Sequence, residues 1–571
     1  MLLTVSPFLI TPPSINLSLG RRQSHIITNP SFLAYNDKNI WLKTLNCSSR
    51  HSCCSHLNAN YFIHGNNPNN IDVVNATTIN VAESPKTESP KTTDDSAGIG
   101  ILNFFQGKNI FITGATEFLG KALVEKLLRS TAVGKIYVLI KAEDKAAAFD
   151  RLKSEIINSE LLKCLREEHG ASYEAFIQEK LIPVAGNICE PELGMDVDTA
   201  DNIMNEVDVI IQSAANTSMI ERYDSLFEAN VSGPQRLMRF AKRCKNLILF
   251  VHISTAFVNG EREGVNPEKP MTMGENRRKN ISSSFPQLDI ANEMSLAFKS
   301  ITSASTELEA TIYSKKLGQQ RARFYGWFDA YQLTKAMGEM IINECKGDTP
   351  VVIVRPAVIE SSYKEPFPGW IQGYRVTDPL IISYGKGHLP AFLGDPEVKV
   401  DIIPVDMVVN TIIAATAKHG IGGMPGLDVY HSASAIVNPL RYYDVFEFSY
   451  EYFNSNPLIE SSSKGSNIKE IKFFDNIEDL SKYTQDEICQ RDALQQTKWK
   501  AKILHAIQLC KIYEFSGFYE GRFDISNTQK LLSEMSEEEQ RCFGLDARII
   551  DWRKYFCEIH IPGLKKHVLN L

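Results

Sequence analysis

The chain has 571 residues, of which 43% are apolar and 23% are charged, and its formal net charge is −7. These values are those of an ordinary globular protein with more than one domain, and the acidic balance gives no sign of nucleic-acid binding. No apolar run reaches the ~20 residues of a membrane-spanning helix, although peripheral membrane contact stays open.

The first segment, residues 1–75, is not predicted to fold. It is rich in Ser and Asn and poor in acidic residues. This composition resembles an organelle transit peptide, and the alternative is a disordered tail without a targeting role. Residues 76–98 contain the repeat Glu83–Thr87 and Glu88–Thr92, in which proline and charge without apolar residues predict a solvated linker.

Strands and helices are predicted to alternate from about Ile99, so we expect an α/β fold with a Rossmann-type, doubly wound parallel sheet. The strand-like runs are apolar throughout, which is typical of a parallel sheet covered on both faces. The gap between Ile253 and Val351 is too long for one crossover and predicts an insertion at about residues 260–328. The predicted strands are Asn109–Ile112, Ile136–Ile140, Leu181–Val184, Val207–Gln212, Leu247–Ile253, Val351–Val354 and Val400–Ile403.

After about Ile436 the pattern changes to mainly helical segments. We therefore predict a Rossmann-type domain over residues 99–435 and a second, mainly helical C-terminal domain over residues 436–571. The helical segments of the second domain are predicted at Pro439–Phe453, Tyr483–Phe515 and Ser526–Ser536.

A glycine-rich turn follows the first predicted strand and opens a helix at Lys121–Arg129. In a T-G-x-x-G-x-x-G turn, the first glycine makes the tight turn, the second lets the backbone approach a pyrophosphate, and the third lets the helix pack on the sheet. Gly114 and Gly120 fill the first and third places, but Glu117 fills the second. We expect a dinucleotide to bind along Thr113, Gly114, Thr116, Glu117, Phe118, Leu119 and Gly120.

Glu117 is the departure from this pattern. Its side chain would crowd the phosphates and add negative charge beside a dianion at the helix N-terminus. Alternatively, the carboxylate points outward to solvent and costs little. We expect cofactor binding that is weakened but retained.

Lys141 follows the second strand, near the position where NAD-specific proteins place an acid for the ribose 2′-hydroxyl. A cation there favours a 2′-phosphate and hence NADPH. A solvated loop lysine is the alternative, and Glu143 and Asp144 lie close by. We also expect the cofactor site to include Arg151, Asn187, Ile188, Ala214, Ala215, Asn216, Arg355, Pro356 and Val358, together with Tyr331 and Lys335.

Two Tyr-x-x-x-Lys matches occur, and one of them can form a catalytic pair. Tyr137 and Lys141 lie on a strand, where four residues span roughly 13 Å. Tyr331 and Lys335 lie in a predicted helix, Asp329–Cys345, where residues i and i+4 are about 6 Å apart on one face. There the ammonium is expected to lower the pKa of the tyrosine and to bind the cofactor ribose. The tyrosine would then give its proton to a carbonyl oxygen as hydride arrives.

Ser254 and Thr255 end the long strand that precedes them. Because the carboxyl ends of parallel strands face the ligand crevice, we expect these hydroxyl groups to hold the substrate carbonyl. Capping of the strand end is the alternative. Asn230 is expected either to hold a water near Lys335 or to cap a turn.

Metal and covalent-nucleophile chemistry are not favoured. There is no HExxH motif, the histidines are dispersed, and the cysteines form no CxxC pair. Cys244 and Cys345 lie in helical, partly apolar stretches and are interpreted as buried thiols in a reducing compartment. We predict no metal site.

Five segments give the chain a specific resemblance to the alcohol-forming fatty acyl-CoA reductases. These are extended short-chain dehydrogenase/reductase proteins with a C-terminal male sterility domain, and the resemblance covers about residues 99–571. With the transit-like leader, the chain is most similar to the plastid-targeted plant branch, which implies a chloroplast location. The segments are His252–Gly260, Tyr331–Glu339, Val354–Ala357, Glu365–Trp370 and Trp552–Leu564.

The resemblance implies that a long-chain acyl thioester, of coenzyme A or an acyl carrier protein, is reduced by NADPH through a bound aldehyde to a primary alcohol. It assigns Thr255 to the substrate carbonyl, Tyr331 as acid and Lys335 as its partner. It places Asn187 where many relatives have an adenine-facing Asp. The insertion and the C-terminal domain are expected to shelter the acyl chain.

The segment 311–325 contains Lys315, Lys316, Arg321 and Arg323 and no acidic residue. We hypothesise that it meets the phosphates of coenzyme A or an acidic carrier protein. A solvated helix face is the alternative.

Two other functions stay open at this point. The first, suggested by Glu117, is a catalytically weak or inactive relative that binds a ligand or partner. The second is a reductase or epimerase that acts on another carbonyl substrate. The C-terminal domain and the Pro-Gly-Trp segment at 368–370 argue against the second.

Overall fold

Part of the chain is described by the structure, a computed structural model. The predicted transit peptide, residues 1–75, and all but the last residue of the predicted linker lie outside this part. Within it, contacts gather the chain into one compact unit, and it holds no helix that is both long and apolar enough to cross a membrane. The described residues are 98–278, 285–302, 304–458, 468–489 and 493–571.

A seven-stranded parallel sheet forms the centre of the fold. Its first strand pairs with the second on one side and with the fourth on the other. The residues of these three strands are buried, because helices cover both faces of the sheet. The strands of the described chain are β1 Ile110–Thr113, β2 Ile136–Ile140, β3 Leu181–Ala185, β4 Val209–Gln212, β5 Leu249–Ile253, β6 Gly264–Asn266, β7 Val351–Pro356, β8 Val358–Glu360, β9 Ala391–Leu393, β10 Ile402–Pro404, β11 Leu427–Ser432, β12 Lys472–Phe474 and β13 Gly521–Phe523.

The strand order of the large sheet is β11-β7-β5-β4-β1-β2-β3. The order reverses at β1, so the loops after β1 and β4 diverge and leave a crevice at the carboxyl ends of these strands. The predicted Rossmann-type parallel sheet is therefore confirmed.

One predicted strand lies outside the large sheet. The last two residues of the predicted strand Val400–Ile403 belong to β10, which pairs with β8. The edge strand of the large sheet is instead β11, at Leu427–Ser432. Its sequence includes Asp428, His431 and Ser432, so it lacks the apolar run on which the prediction depended.

Helices pack on both faces of the sheet and make up most of the C-terminal segment. The predicted helix Tyr483–Phe515 is instead two helices, and residues 490–492 between them lie outside the described chain. The helices are α1 Ile101–Phe105, α2 Phe118–Ser130, α3 Lys145–Leu152, α4 Lys163–His169, α5 Tyr173–Lys180, α6 Val197–Glu206, α7 Tyr223–Phe227, α8 Gly233–Ala241, α9 Ile290–Thr302, α10 Glu307–Tyr325, α11 Ala330–Cys345, α12 Asp378–Gly385, α13 Val405–Gly422, α14 Tyr442–Ser455, α15 Ile477–Cys489, α16 Ala493–Phe518, α17 Ser526–Glu534, α18 Glu537–Cys542, α19 Trp552–Lys554 and α20 Ile561–His567.

The C-terminal segment pairs with the rest of the chain in two small sheets. Strand β13 pairs in parallel with β6 of the insertion, and β12 pairs with β9 of the Rossmann part. One hydrophobic core contains both Ile112 of β1 and Leu564 of α20. The C-terminal segment thus packs on the Rossmann part, while the predicted boundary at residue 436 stays a prediction.

Candidate active site

A crevice lies where β1, β4, β5 and β7 end. Eight of the residues predicted for the site line it: Glu117, Leu119, Ala215, Ser254, Thr255, Tyr331, Lys335 and Pro356. The sequence did not single out its other lining residues, which are Ser213, Thr217, Ile253, Ala357 and Ile359.

The glycine-rich turn holds the first and fourth strands close together. Gly114 has φ +75°, and a Cβ there would lie 2.6 Å from the backbone nitrogen of Ala214. That same nitrogen donates to the Thr113 hydroxyl at 3.2 Å. A Cβ on Gly120 would lie 2.1 Å from the Gly114 carbonyl oxygen. Both glycines therefore have the tight-turn and close-packing roles expected of them, and the turn fits a dinucleotide backbone at the N-terminus of α2.

Glu117 adopts an ordinary extended backbone conformation, with φ −89° and ψ 166°. Its side chain is exposed, and it lines the crevice that Tyr331 also lines. The position therefore does not need glycine for its backbone angles. The effect of Glu117 on a cofactor comes from the volume and charge of its side chain.

Phe118 belongs to the core rather than to the crevice wall. Its ring is fully buried and stacks on Trp370, with 5.0 Å between ring centroids. The guanidinium of Arg375 lies 4.4 Å from the same ring. The side chain of Phe118 therefore packs in the core. The predicted contact with the cofactor is left to its backbone at the start of α2.

Tyr331 and Lys335 occupy successive turns of α11 at the crevice. Asp329 begins this helix by accepting a hydrogen bond from the backbone nitrogen of Gln332 at 2.8 Å. Lys335 is 1% exposed, and its Nζ donates to the carbonyl oxygen of Ile253 at 2.8 Å. Burial lowers the pKa of Lys335 to about 8, partly opposed by the Glu339 carboxylate.

The pKa of Tyr331 lies well above its usual value rather than below it. Burial is the main cause, the charge of Asp329 adds to it, and a hydrogen bond with the Thr255 side chain opposes it. The net pKa of Tyr331 is thus raised by burial, and the expected lowering by Lys335 stays a prediction. The phenol stays protonated at neutral pH, which is the form that a proton donor needs.

Thr255 and Ser254 follow β5 directly and face the same crevice. The Thr255 hydroxyl accepts a hydrogen bond from the backbone nitrogen of Phe257 at 3.3 Å. The Ser254 Oγ is buried and has no hydrogen-bond partner among the described residues. It is thus an uncommitted polar group beside Tyr331, as a carbonyl-binding role requires.

Asn230 bonds to the backbone of a loop, which corresponds to the capping role, one of the two roles predicted for it. Its Oδ1 accepts from the backbone nitrogen of Asn216 at 2.9 Å. Its Nδ2 donates to the Asn216 carbonyl oxygen at 2.9 Å and to the Thr334 hydroxyl at 3.1 Å. Asn230 therefore fixes the loop after β4 to α11, and the water expected near Lys335 stays a prediction. Asn216 is held in that loop by these bonds.

Two cations lie at the end of β2. Lys141 is exposed, and its carbonyl oxygen accepts from Arg151 Nη1 at 2.8 Å. Arg151 also pairs with Glu155 at 2.8 Å. Asp144 is occupied as the N-cap of α3, where it accepts from the backbone nitrogen of Ala147. Of the two nearby acids that argued against a 2′-phosphate, Asp144 is therefore engaged as a cap, and Glu143 is exposed.

The loop after β3 offers less to a cofactor than expected. Asn187 uses its side chain within its own turn, donating to Glu190 at 3.0 Å and accepting from the backbone nitrogen of Cys189 at 3.0 Å. Ile188 is buried in a hydrophobic core. An adenine-facing role for the Asn187 amide would require these local bonds to break.

Arg355 is not available to a cofactor. Its side chain is fully buried, and its Nε donates to Glu339 at 2.8 Å within a two-point ion pair. It also contacts His431 and the carbonyl oxygen of Lys269. The prediction of a cofactor contact was wrong because this arginine ties β7 to α11.

A larger cavity of about 610 Å³ lies beside the crevice. Val358, predicted to contact the cofactor, lines this cavity instead. Its walls come from the insertion, the Rossmann part and the C-terminal helix α16, and they are mainly apolar. Apolar and aromatic lining residues include Met219, Ile220, Phe257, Phe328, Val376, Val400, Ile512, Tyr513, Phe515, Tyr519 and Phe523.

The basic segment 311–325 forms part of α10, and its cations differ in availability. Lys315, Lys316 and Arg323 are exposed, and Arg323 lines the large cavity. Arg321 pairs with the buried Glu293. Three of the four cations of the predicted patch are therefore exposed, and the fourth is part of an ion pair.

Side chains of ligand type meet at one buried place in the described chain. Oxygen or nitrogen atoms of Glu360, Asp378 and His560 lie within 4.8 Å of one another. The charge of Arg375 lies close to both carboxylates. The two carboxylates raise the pKa of His560, so His560 and Arg375 are the positive partners of this buried group, and the predicted absence of a metal site stays a prediction.

The chain matches two segments of one known family. A family model described as male sterility protein, of an NAD-binding type, matches residues 112–412, and a second model with that description matches residues 488–571. The chain is 46% identical over 493 residues to chloroplastic fatty acyl-CoA reductase 2 of Arabidopsis thaliana, covering 83% of this chain and 80% of that one. The chain belongs to the fatty acyl-CoA reductase family.

A second relative agrees with this membership, and a solved structure shares the fold. The chain is 36% identical to the alcohol-forming fatty acyl-CoA reductase of Simmondsia chinensis, covering 82% of this chain and 99% of that one. The fold resembles the crystal structure of the terminal R domain of the myxalamid PKS-NRPS pathway, with a TM-score of 0.52, 17% identity, and coverage of 81% and 92%. The family is one of nicotinamide-dependent oxidoreductases that form fatty alcohols, as the sequence resemblance implied.

Proposed function

We propose that the protein uses NADPH to reduce long-chain fatty acyl thioesters to primary alcohols, with Tyr331 as the proton donor. The observation that supports this most is the position of Tyr331, Ser254 and Thr255 between the glycine-rich turn and a large apolar cavity. One side of this wall suits a dinucleotide, and the other suits an acyl chain.

The catalytic groups act on the carbonyl oxygen of the substrate. A bound nicotinamide supplies the hydride. The Ser254 and Thr255 hydroxyl groups hold the oxygen, and the Tyr331 phenol donates a proton to it as negative charge develops. Lys335 places an ammonium beside the phenol, which stabilises the phenolate left after proton transfer.

The reduction proceeds in two rounds. In the first, the protonated tetrahedral adduct loses its thiol and becomes an aldehyde. In the second, the aldehyde stays at the same wall, Tyr331 again protonates its oxygen, and the alcohol forms. Two hydrides and two protons are consumed for each alcohol and thiol released, and no covalent cysteine is needed. Cys244 is unsuited to such a role, because burial raises the pKa of its thiol to about 12.

NADPH is proposed over NADH because of the charges at the end of β2. Lys141 and Arg151 lie there, and of the two acids that follow Lys141, Asp144 caps a helix and Glu143 is exposed. A 2′-phosphate would be attracted by both cations, whereas a bare 2′-hydroxyl would gain little.

A product experiment tests the proposal. Purified protein is incubated with NADPH and palmitoyl-CoA or a palmitoyl carrier protein, and the products are identified by mass. We expect hexadecanol from the wild type and a loss of roughly 10²- to 10⁴-fold with Tyr331→Phe. Undiminished alcohol formation by that variant would contradict the assignment.

The exposed cations of α10 are proposed to meet the acidic part of the acyl donor. Replacing Lys315 and Lys316 with Glu should raise the KM for the acyl donor several-fold and leave the KM for NADPH largely unaffected. The matched control is the pair of substitutions to Gln, which should have a smaller effect. An unchanged KM with the Glu pair would remove this idea.

The predicted transit segment supports a plastid location, as does the chloroplastic label of the Arabidopsis relative. Fusing residues 1–98 to a fluorescent protein in plant cells would test it. Plastid fluorescence is expected, and diffuse cytosolic fluorescence would contradict it.

A further inference from the structure

We infer that Gln332 and Asp401 form a subsite for the pantetheine arm of the acyl thioester, with the pantetheine amides as the recognised groups. This inference rests on the proposed function: the apolar walls of the large cavity take the acyl chain, and the polar stretch of its wall at Gln332 and Asp401 takes the pantetheine arm. Carbonyl reduction at the crevice does not require either residue.

Two polar side chains stand out in the mainly apolar wall of the cavity. Gln332 is 2% exposed and Asp401 is 7% exposed. The Gln332 Oε1 and the Asp401 Oδ2 are buried without a hydrogen-bond partner in the described part of the chain. The other carboxylate oxygen of Asp401 accepts from the Ser434 backbone nitrogen at 2.7 Å, which fixes the orientation of the group. Each residue therefore presents an unused acceptor to the cavity.

Gln332 lies next to the reacting centre, and Asp401 lines the same cavity. Tyr331 lines the crevice, and Gln332, the next residue, lines the cavity. In the same way, Ala357 lines the crevice and the next residue, Val358, lines the cavity. The crevice and the cavity thus share a wall, and a thioester whose carbonyl meets Tyr331 extends its sulfur side or its chain side along Gln332.

The chemistry of the acceptors selects the sulfur side. A saturated acyl chain has no donor, so it would leave both oxygens unsatisfied, which is costly in a buried site. Pantetheine has two secondary amides, and the nearer nitrogen lies about 5 Å from the thioester carbonyl carbon at ordinary bond lengths. An amide also offers a carbonyl oxygen, so it suits Gln332 in either orientation of the side-chain amide.

The charges around the cavity agree with this direction. Arg323, Lys399 and Lys511 line it, and the first and last of these are exposed. They suit the phosphate that follows pantetheine in both coenzyme A and carrier proteins. Glu261 and Glu514 also line the cavity, so the preference for an anion is local to the cations.

Comparing a thioester with an aldehyde isolates the subsite. Palmitoyl-CoA and palmitaldehyde share the chain, the carbonyl chemistry and NADPH, but the aldehyde lacks pantetheine. We expect Gln332→Met, which keeps the side-chain size, to lower the ratio of kcat/KM for palmitoyl-CoA to that for palmitaldehyde by on the order of tenfold. Asp401→Asn replaces an acceptor with a donor at one atom and should lower the same ratio at least as much.

Matched controls define the outcomes. Val376→Ala removes apolar wall and should lower both rates by similar factors, leaving the ratio near that of the wild type. Equal losses on both substrates with Gln332→Met would overturn the inference. The variant could instead lose kcat/KM on ω-hydroxypalmitaldehyde relative to palmitaldehyde and lose none on palmitoyl-CoA. That result would assign the acceptors to a hydroxyl group on the acyl chain and would also overturn the inference. If the wild type makes no alcohol from either substrate, the proposed function itself has failed.

Discussion

Glu117 contributes a carboxylate to the crevice that must also receive a pyrophosphate. Its backbone is unstrained, so its cost comes from charge and volume. Glu117→Gln removes the charge alone, and Glu117→Gly removes both. We expect the dissociation constant of NADPH to fall about three- to tenfold with Gln, in proportion to a lost repulsion of about 1 kcal/mol, and further with Gly.

Fluorescence titration with NADPH at two salt concentrations measures this effect. The gain from Gln should shrink at high salt, because screening already weakens the repulsion there. Equal affinities for all three proteins would show that the carboxylate points harmlessly to solvent.

The pKa of Lys335 leads to a prediction about the pH dependence of catalysis. Its pKa of about 8 means that the ammonium is present at neutral pH and is lost as the pH rises through 8. If the ammonium is required, kcat/KM for NADPH should fall about tenfold per pH unit above that value, since this parameter reports the free enzyme. Lys335→Arg should move the alkaline limb to higher pH at a lower overall rate. An identical limb in that variant would assign it to another group.

Residue identity alone predicted some of these positions and failed for others. Tyr331, Lys335, Ser254 and Thr255 could be placed because a helix spacing or a strand end fixes where the side chain lies. Arg355 could not, because a buried ion pair and a phosphate contact both call for arginine, and the choice depends on Glu339 across the fold. The unused acceptor of Gln332 had no signal in the sequence beyond its place next to Tyr331.

At the scale of elements, helix α11 carries the active site and its support on one face. Tyr331, Lys335 and Glu339 are spaced at i, i+4 and i+8, and Glu339 pairs with Arg355 of β7, both fully buried. The helix is therefore tied to the sheet at the level of the catalytic pair. A Cβ at Gly338 would lie 2.2 Å from the Asn230 carbonyl oxygen, so close packing fixes the other side of the helix.

Glu339→Gln should have two linked effects. It leaves the Arg355 charge buried with a weaker partner, which should destabilise the protein by about 3 kcal/mol. It also removes the carboxylate that raises the pKa of Lys335, so the alkaline limb of kcat/KM should move to lower pH. Denaturant unfolding and a pH profile measure the two.

A double variant separates structure from electrostatics. Adding Arg355→Met to Glu339→Gln removes the unpaired charge and should recover part of the lost stability, but it should not return the alkaline limb to its original pH. Full recovery of both would mean that Glu339 acts on Lys335 only through the fold.

The elements themselves were predictable to the extent that apolar runs mark them. The strands β1 to β5 and β7 are mainly apolar, although only two of the five residues of β3 are buried, and their predicted ends differ from the observed ones by at most two residues. Strand β11 was missed because its buried residues include His431, whose ring is satisfied by Arg355 and by the Asp524 carbonyl oxygen. Polar pairing across the fold replaced the apolar pattern there.

At the scale of the whole molecule, a buried charged group joins the Rossmann part to the C-terminus. Glu360 ends β8, Asp378 begins α12, and His560 precedes α20. His560 Nε2 lies 3.0 Å from Asp378 Oδ1, and the Thr377 hydroxyl donates to Glu360 at 2.6 Å. All three side chains are fully buried, so their protonation is coupled to the packing of the two segments.

This group predicts that stability declines with rising pH. Burial, with the charge of Asp378, raises the pKa of Glu360 to about 7. Burial alone would lower the pKa of His560, but Asp378 and Glu360 together raise it. Both groups therefore bind protons more tightly in the folded state than in the unfolded state. Their contribution is complete below the unfolded pKa of Glu360, and it is lost as the pH rises through 7 and past the raised pKa of His560.

Glu360→Gln tests this reading, because glutamine resembles the protonated carboxyl at every pH. The melting temperature of the wild type should fall between pH 6 and pH 8, and that of the variant should fall less, so the variant becomes more stable relative to the wild type as the pH rises toward 8. The matched control is Glu451→Gln, which changes the exposed carboxylate that pairs with Arg553. The melting temperature of this control should change with pH as that of the wild type does. A Glu360→Gln variant whose melting temperature declines as steeply as that of the wild type would place the pH-dependent contact elsewhere in the molecule.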